Sequence, residues 1–427
     1  MRKQSQVYHN TTQHNTTQHI SRCTHCDETL VIPTLAPNQY AECPRCDEVL
    51  SSGSRWSLHR CSMIALSILI LMPFALNYPL LSIDLLGTRV DASVWQGVWK
   101  MATEGYPYTA FLIFLCAVFM PIAFAILVIL LRLSQLFGIK PRNLLLALGY
   151  IKPWVMFDVY LVALGVTMFK VREYATLSLD VYLIAFIFTA LLTTLLFIKL
   201  NLDALWNDFY PQDRLLTELP TSPPNVCTEC HYTFIEPYQD EKQHNRCPRC
   251  LTLLDVPIAI KLQRTWATLI AGIIMLIPAN LLPMSVVYVN GTPSADTLMS
   301  GVITFIEMGS YFVAFVVFAA SIFIPISKIF ILLYLLICVH FKLRQSIKWQ
   351  MRLFHIVHFV GRWSMLDLFV LALMMSLVAR GQIINFSVGP AAFYFGAAVF
   401  LTMISASQFD SRLLWKIYDR QQKNAVH

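Results

Sequence analysis

The sequence predicts an all-α polytopic membrane protein: two parallel-repeat four-helix transmembrane bundles, each preceded by a small cytoplasmic zinc ribbon. Three observations carry that reading. Hydrophobic residues are 56% of the 427 positions and charged ones only 13%, about half the charge of a soluble domain. Eight apolar runs, roughly 61–82, 109–134, 154–170, 180–200, 266–290, 311–340, 363–379 and 391–408, reach or approach the ~20 residues of a spanning helix. Eight of the eleven cysteines fall into two tight quartets.

Charge sets the topology. An even number of spans puts both termini on one side. Arg132, Lys140, Arg142 and Lys152 lie between the second and third runs, and Lys342, Arg344, Lys348, Arg352 and Arg362 between the sixth and seventh, while 291–310 has no Lys or Arg. The basic side is cytoplasmic, which places both termini and both quartets there. The net charge of +7 does not point to nucleic acid, because the basic residues cluster beside apolar runs as topology demands. The first sixty residues are polar and cysteine-bearing, with no early apolar core before a cleavage site.

In order along the chain, residues 1–20 are a polar tail whose His9, His14 and His19 recur every five residues, read as disordered rather than metal-binding. Zinc ribbon 1 occupies 21–52 and transmembrane bundle 1 occupies 56–206. A linker at 207–224 leads to zinc ribbon 2 at 225–256, transmembrane bundle 2 at 262–416 and a tail at 417–427.

The division rests on a duplication. The first quartet recurs 204 residues later, as does FMPI at 119–122 in FIPI at 323–326. WVMFDVYLVAL at 154–164 recurs 209 residues later as WSMLDLFVLAL at 363–373, and LW at 205–206 as LW at 414–415. Four spans per half is even, so the repeats are parallel.

Each quartet is CxxC-x16-CPRC: Cys23, Cys26, Cys43 and Cys46, then Cys227, Cys230, Cys247 and Cys250. Two CxxC pairs supply four thiolates that close a tetrahedron about zinc, and a closed four-sulfur shell leaves no site for water, so both sites are structural. Pro and Arg within the second knuckle tighten its turn and help stabilise thiolate charge. A thioredoxin-like pair would need a strand-to-helix context that is absent, and an iron–sulfur site is the other rival. Each module is too small to fold on its own core, so metal supplies folding energy. Cys61, Cys116 and Cys338 sit singly in apolar runs and read as packing residues.

Lys328 stands inside SIFIPISKIFILLYLLIC, 321–338. A lysine at the bilayer centre costs about 2.5–3.5 kcal/mol. Snorkelling would answer this if the hydrocarbon begins at Tyr311, which puts Lys328 about 25 Å along the helix. Yet the apolar residues Ile329 to Cys338 follow it, so the sixth run is expected to overhang and pack on LFHIVHFV, 353–360. Asp367 is its expected ion-pair partner. In the first half Phe124 matches Lys328 and Asp158 matches Asp367; a pair needed only for packing would recur, so the second bundle is read as the working one. Helical spacing adds Ser321 and Ser364 to these faces, and Thr402 of the last run completes the polar lining. The plainer reading of each hydroxyl is a bond to its own helix.

Gly97-Val98 and Gly301-Val302 match across the halves, in loops on the extracytoplasmic side, and ASVWQGVWKMATEGY reads as interfacial. His355 and His358 have the spacing of a metal pair without a carboxylate beside them, and read as an interfacial helix. No GxxxxGK[ST], HExxH or GxSxG occurs, so the chain is not read as an enzyme.

The doubled ribbons, WSMLDLF at 363–369, GPAAFYFGAA at 389–398 and DSRLLW at 410–415 closely resemble the paraquat-inducible protein A family, from Cys23 to Trp415. The resemblance implies a Gram-negative inner-membrane protein with tetraspanin-like four-helix units. It also implies a periplasm-spanning partner built of mammalian-cell-entry (MCE) domains that form a hydrophobic tunnel. Together with Lys328 and Asp367, this gives a lipid transport protein exchanging phospholipids between the inner membrane and the tunnel, with the pair controlling a cavity in bundle 2. The alternative is a membrane scaffold that anchors the tunnel without moving lipid. A quinone-linked redox protein would need a haem or flavin site, for which paired membrane histidines are lacking.

Overall fold

The structure is a computed structural model that describes residues 19–32, 35–36, 39–52, 56–85, 88–171, 176–211, 224–254, 258–289, 292–307, 309–342, 346–376 and 384–426. His9, His14 and most of the 207–224 segment lie outside these.

The first cysteine module is two antiparallel hairpins, β1 (His19–Arg22) with β2 (Thr29–Ile32) and β3 (Tyr40–Glu42) with β4 (Val49–Ser52). Then α1 (Leu58–Asn77) starts at Ser57, whose hydroxyl accepts from the Arg60 N–H, as an N-cap should. It gives way to β5 (Leu81–Leu85) and β6 (Thr88–Ala92), followed by the amphipathic α2 (Val94–Thr103). The second span is α3 (Pro107–Ile113), a π-helical turn (Phe114–Phe119) and α4 (Met120–Leu136). The third is α5 (Arg142–Ile151), a 3-10 turn (Lys152–Trp154) and α6 (Phe157–Val171). Then come β7 (Thr176–Leu179), α7 (Tyr182–Lys199) and α8 (Leu202–Phe209), the last capped by Asn201.

The second half carries the same succession. Its cysteine module has β8 (Asn225–Val226), β9 (Thr233–Phe234), β10 (Tyr238–Gln239) and β11 (Asn245–Arg246), paired as two hairpins. Then come α9 (Ile258–Leu281), β12 (Ser285–Val289), β13 (Thr292–Asp296) and α10 (Leu298–Glu307). The sixth span is α11 (Tyr311–Phe318), a π-turn (Ala319–Phe323) and α12 (Ile324–Phe341). The seventh is α13 (Ile347–Val360), a 3-10 turn (Gly361–Met365) and α14 (Leu366–Ser376). β14 (Ile384–Val388), α15 (Ala391–Gln408) and α16 (Arg412–Val426) complete it.

Eight helical segments among the described residues are long and apolar enough to span a bilayer, and the chain is a multi-pass membrane protein. The all-α reading needs one correction. The apolar runs at 61–82 and 266–290 stop being helical at Asn77 and Leu281, and LSIDL and SVVYV are strands. Each is the centre of a three-stranded antiparallel sheet, ordered β6-β5-β7 and β13-β12-β14. Pro79 and Pro283 interrupt the helices, and the branched residues beyond them suit a pleated surface.

Pro121 and Pro325 sit just past the π-turns, inside otherwise continuous spans. Proline lacks the N–H and clashes with the carbonyl four residues back; a π-turn relieves both by opening the helix one residue wider. The two halves meet mainly through α6 and α14, and α2 of the first half also lies on α14. Within the second half, α9 runs along α15.

The cysteine modules sit crosswise. The first shares an apolar cluster with the second half, in which Cys23, Cys26, Cys43 and Cys46 pack with Leu332, Phe354 and Trp415. The second belongs to the cluster that contains α8 of the first half, including Leu205 and Trp206. The cluster of the first module also packs α12 on α13, where Leu335 and Leu336 join Phe354 and Val357, the contact expected between the sixth run and 353–360.

Candidate functional site

The polar site is built around the π-turn of the sixth span. Pro325 cannot supply the N–H that the Ser321 carbonyl would receive in an α-helix, and the Ser321 hydroxyl, 1% exposed, has no hydrogen-bond partner among the described residues. Two turns on, Lys328 is 3% exposed and its Nζ has no hydrogen-bond partner among the described residues. The lysine ends against Gly361: a methyl group on that glycine would lie 3.4 Å from Nζ. Gly361 opens the 3-10 turn that carries Ser364, whose Oγ donates to the Gly361 carbonyl at 2.7 Å. This turn packs against both α12 and the π-turn of Ser321.

The expected ion pair is not formed. Lys328 and Asp367 are both described, and no contact within ion-pair distance joins them. The reason is axial: Asp367 is six residues beyond Gly361, about 10 Å along the 3-10 turn and the start of α14. Lys328 therefore meets the backbone of the turn rather than the carboxylate. Asp367 itself is half-buried in the first turn of α14. Thr402 is buried, but its Oγ1 donates to the Val399 carbonyl at 2.9 Å and its methyl faces Gly272 of α9, 2.9 Å from where a Cβ would stand. Thus Ser321, Lys328 and Ser364 converge on one pair of turns, while Thr402 is turned toward α9. In the first half Phe124 is fully buried where Lys328 stands in the second.

Gly361 was not singled out by sequence reasoning. Its signal was weak: a glycine in a helical run, beside a membrane-grade lysine in another. Ser405 was also missed; fully buried, it donates to the Thr265 carbonyl at 3.1 Å and ties α15 to α9.

The two cysteine quartets are each gathered into a cluster whose Sγ atoms lie within 4.8 Å of one another. Cys23–Cys46 and Cys26–Cys43 are 3.6 and 3.5 Å apart, Cys227–Cys250 and Cys230–Cys247 3.5 and 3.6 Å. Four ligands at about 2.3 Å from a tetrahedral zinc would be about 3.8 Å apart, so the residues fit a metal with little movement. All four knuckles share one backbone device: the residue after the second cysteine (Asp27, Asp47, His231, Leu251) has positive φ. Its N–H donates to the carbonyl of the first cysteine, at 2.9–3.1 Å. Hydrogen bonds from Cys23, Cys26 and Cys46 hold the Cys43 thiol far below its usual range, and those from Cys230, Cys247 and Cys250 do the same for Cys227. The same hydrogen bonding and burial push Cys26, Cys46, Cys230 and Cys247 up, so each quartet holds its protons unevenly and a metal would displace those that remain.

The CPRC arginines do more than tighten turns. The Arg45 guanidinium lies 4.4 Å from the Trp415 ring and pairs with Asp419; Arg249 lies 5.5 Å from Trp206 and donates to Asn207 at 2.9 Å. Each arginine docks its module on the LW helix of the opposite half.

The paraquat-inducible protein A family model matches residues 58–210 and 262–419. A "Probable intermembrane transport protein" of Haemophilus influenzae is 69% identical, covering 94% of this chain and 97% of that protein. The "Lipophilic envelope-spanning tunnel protein A" of Escherichia coli is 42% identical, covering 93% and 91%. The "Intermembrane transport protein PqiA" of the same species is 29% identical, covering 94% and 96%. No solved structure matches the chain.

Proposed function

We propose that this chain, which belongs to the paraquat-inducible protein A family, exchanges phospholipids between the bacterial inner membrane and a periplasm-spanning MCE-domain tunnel. A role in intermembrane transport agrees with the names of its relatives. The observation that carries the finer reading is Lys328. An ammonium buried at 3% exposure with no hydrogen-bond partner among the described residues costs several kcal/mol unless an anion meets it. A phospholipid offers that anion in its phosphodiester, attached to acyl chains that match the surrounding helices. The hydroxyl of Ser321 and the turn of Gly361 and Ser364 flank the same place and would orient the headgroup.

The two cysteine quartets would each hold a structural zinc, Cys23, Cys26, Cys43 and Cys46 the first and Cys227, Cys230, Cys247 and Cys250 the second. Zinc supplies folding energy there and no chemistry on the lipid. The positive-inside distribution supports termini and modules on the cytoplasmic side.

Lys328→Ala tests the transport site. In a strain that depends on this pathway for envelope integrity, the variant should fail to support growth while the purified protein retains its metal and its cooperative unfolding. Normal growth of the variant would overturn the assignment and favour a scaffold that anchors the tunnel.

A further inference from the structure

We propose that the first cysteine module, although it precedes the first bundle in sequence, is a positioning domain for the polar site of the second. The contacts are specific. The His25 ring lies 6.2 Å from Phe354 and 5.8 Å from His355, both on α13. Glu48 approaches His355 at 3.6 Å. Ser411 donates to the His25 carbonyl at 3.2 Å, Arg412 lies 4.0 Å from Asp27, and Arg45 covers Trp415. The module is therefore gripped between α13 and α16.

The grip reaches the site through a short strut. From Phe354 and His355 to Gly361 is about 10 Å of helix, and Gly361 is the residue against which Lys328 ends. A shift of the module moves α13, and α13 cannot move without displacing the turn that bears Gly361 and Ser364. Close-packed interiors transmit such shifts rather than absorb them.

The second module has the mirror assignment. His231 pairs with Asp203 at 2.9 Å, and Arg249 bonds Asn207 and covers Trp206, all on α8 of the first half. The modules touch each other where the Arg22 Nη1 donates to the Pro224 carbonyl at 2.6 Å and its N–H to Thr233 at 3.2 Å. Each half is thus held by the module that belongs, in sequence, to the other.

Hydrogen exchange of the full chain in lipid nanodiscs reads this without any transport assay. Cys43→Ser, which breaks the first module, and Arg45→Ala, which keeps every cysteine, should each speed exchange in 347–365 by about tenfold. Cys247→Ser and Arg249→Ala should instead act on 202–209. An equal or larger response of 347–365 to the second pair, or no response to either, overturns the proposal. The inference borrows only the location of the polar site from the transport reading. Failure of Lys328→Ala to affect growth would sink transport and leave the crossed exchange pattern standing.

Discussion

The rings of Tyr160 and Phe369 lie 5.1 Å apart, tilted by 47°, and the two residues hold matching positions 209 apart in the two halves. The halves therefore meet through the same face of the same helix. Phe157 and Phe186 extend the aromatic layer from the first half. The layer is not symmetric in chemistry, because the Tyr160 hydroxyl is fully buried without a hydrogen-bond partner among the described residues.

Tyr160→Phe should raise stability. It removes a polar group whose desolvation costs about 1–3 kcal/mol and leaves the ring contact in place. A lower unfolding temperature for the purified variant would show that the hydroxyl has a partner in solution.

Matching glycines should respond differently to the same change. A methyl on Gly97 would meet the Ala372 carbonyl oxygen at 2.3 Å, whereas one on Gly301 would meet nothing within 4 Å among the described residues. Gly97→Ala is expected to push α2 off α14 and destabilise the protein by about 1–3 kcal/mol. Gly301→Ala should stabilise α10 by up to about 1 kcal/mol, the difference in helix propensity. Thermal unfolding in detergent compares them, and equal effects would refute the asymmetry.

Metal analysis of the purified protein should give about two zinc per chain. Cys43→Ser should lose one and leave the other. Iron, or a ratio near zero, would contradict two zinc sites.

Asp410 predicts a pH dependence. Burial pushes its carboxyl up, but hydrogen bonds from Arg412 and the charges of Arg412 and Lys261 outweigh burial and hold it below the usual aspartate range. Arg412 donates to it through Nε at 3.0 Å and Nη2 at 2.9 Å, and Lys261 of α9 is 3.5 Å away. A carboxyl depressed in the folded state stabilises fully above its unfolded value, and that contribution is lost as pH falls through the folded one. The stability gap between the protein and Asp410→Asn should be constant near neutrality and shrink below about pH 4. A gap that is flat down to pH 3 would remove Asp410 from the account.

Much of the site was legible one residue at a time. Lys328 stood out because a charge in an apolar run is costly wherever it lies, and it is buried as that cost implies. Ser364 and Thr402 follow the plainer expectation, each bonding a carbonyl three residues back. The Lys328–Asp367 pair failed because charge type fixes who can pair but not the axial offset between helices. The strands β5 and β12 were read into spans because a short apolar run has no period that separates helix from buried strand.

Hydropathy over twenty residues, cysteine spacing and the recurring offsets are properties of the linear chain. They sufficed for eight helices long enough to span and two thiol clusters. Which module grips which half, why Gly97 is crowded while Gly301 is open, and what Lys328 touches all depend on surfaces far apart in sequence. Identical local patterns can bury different neighbours, so only the packed structure decided these.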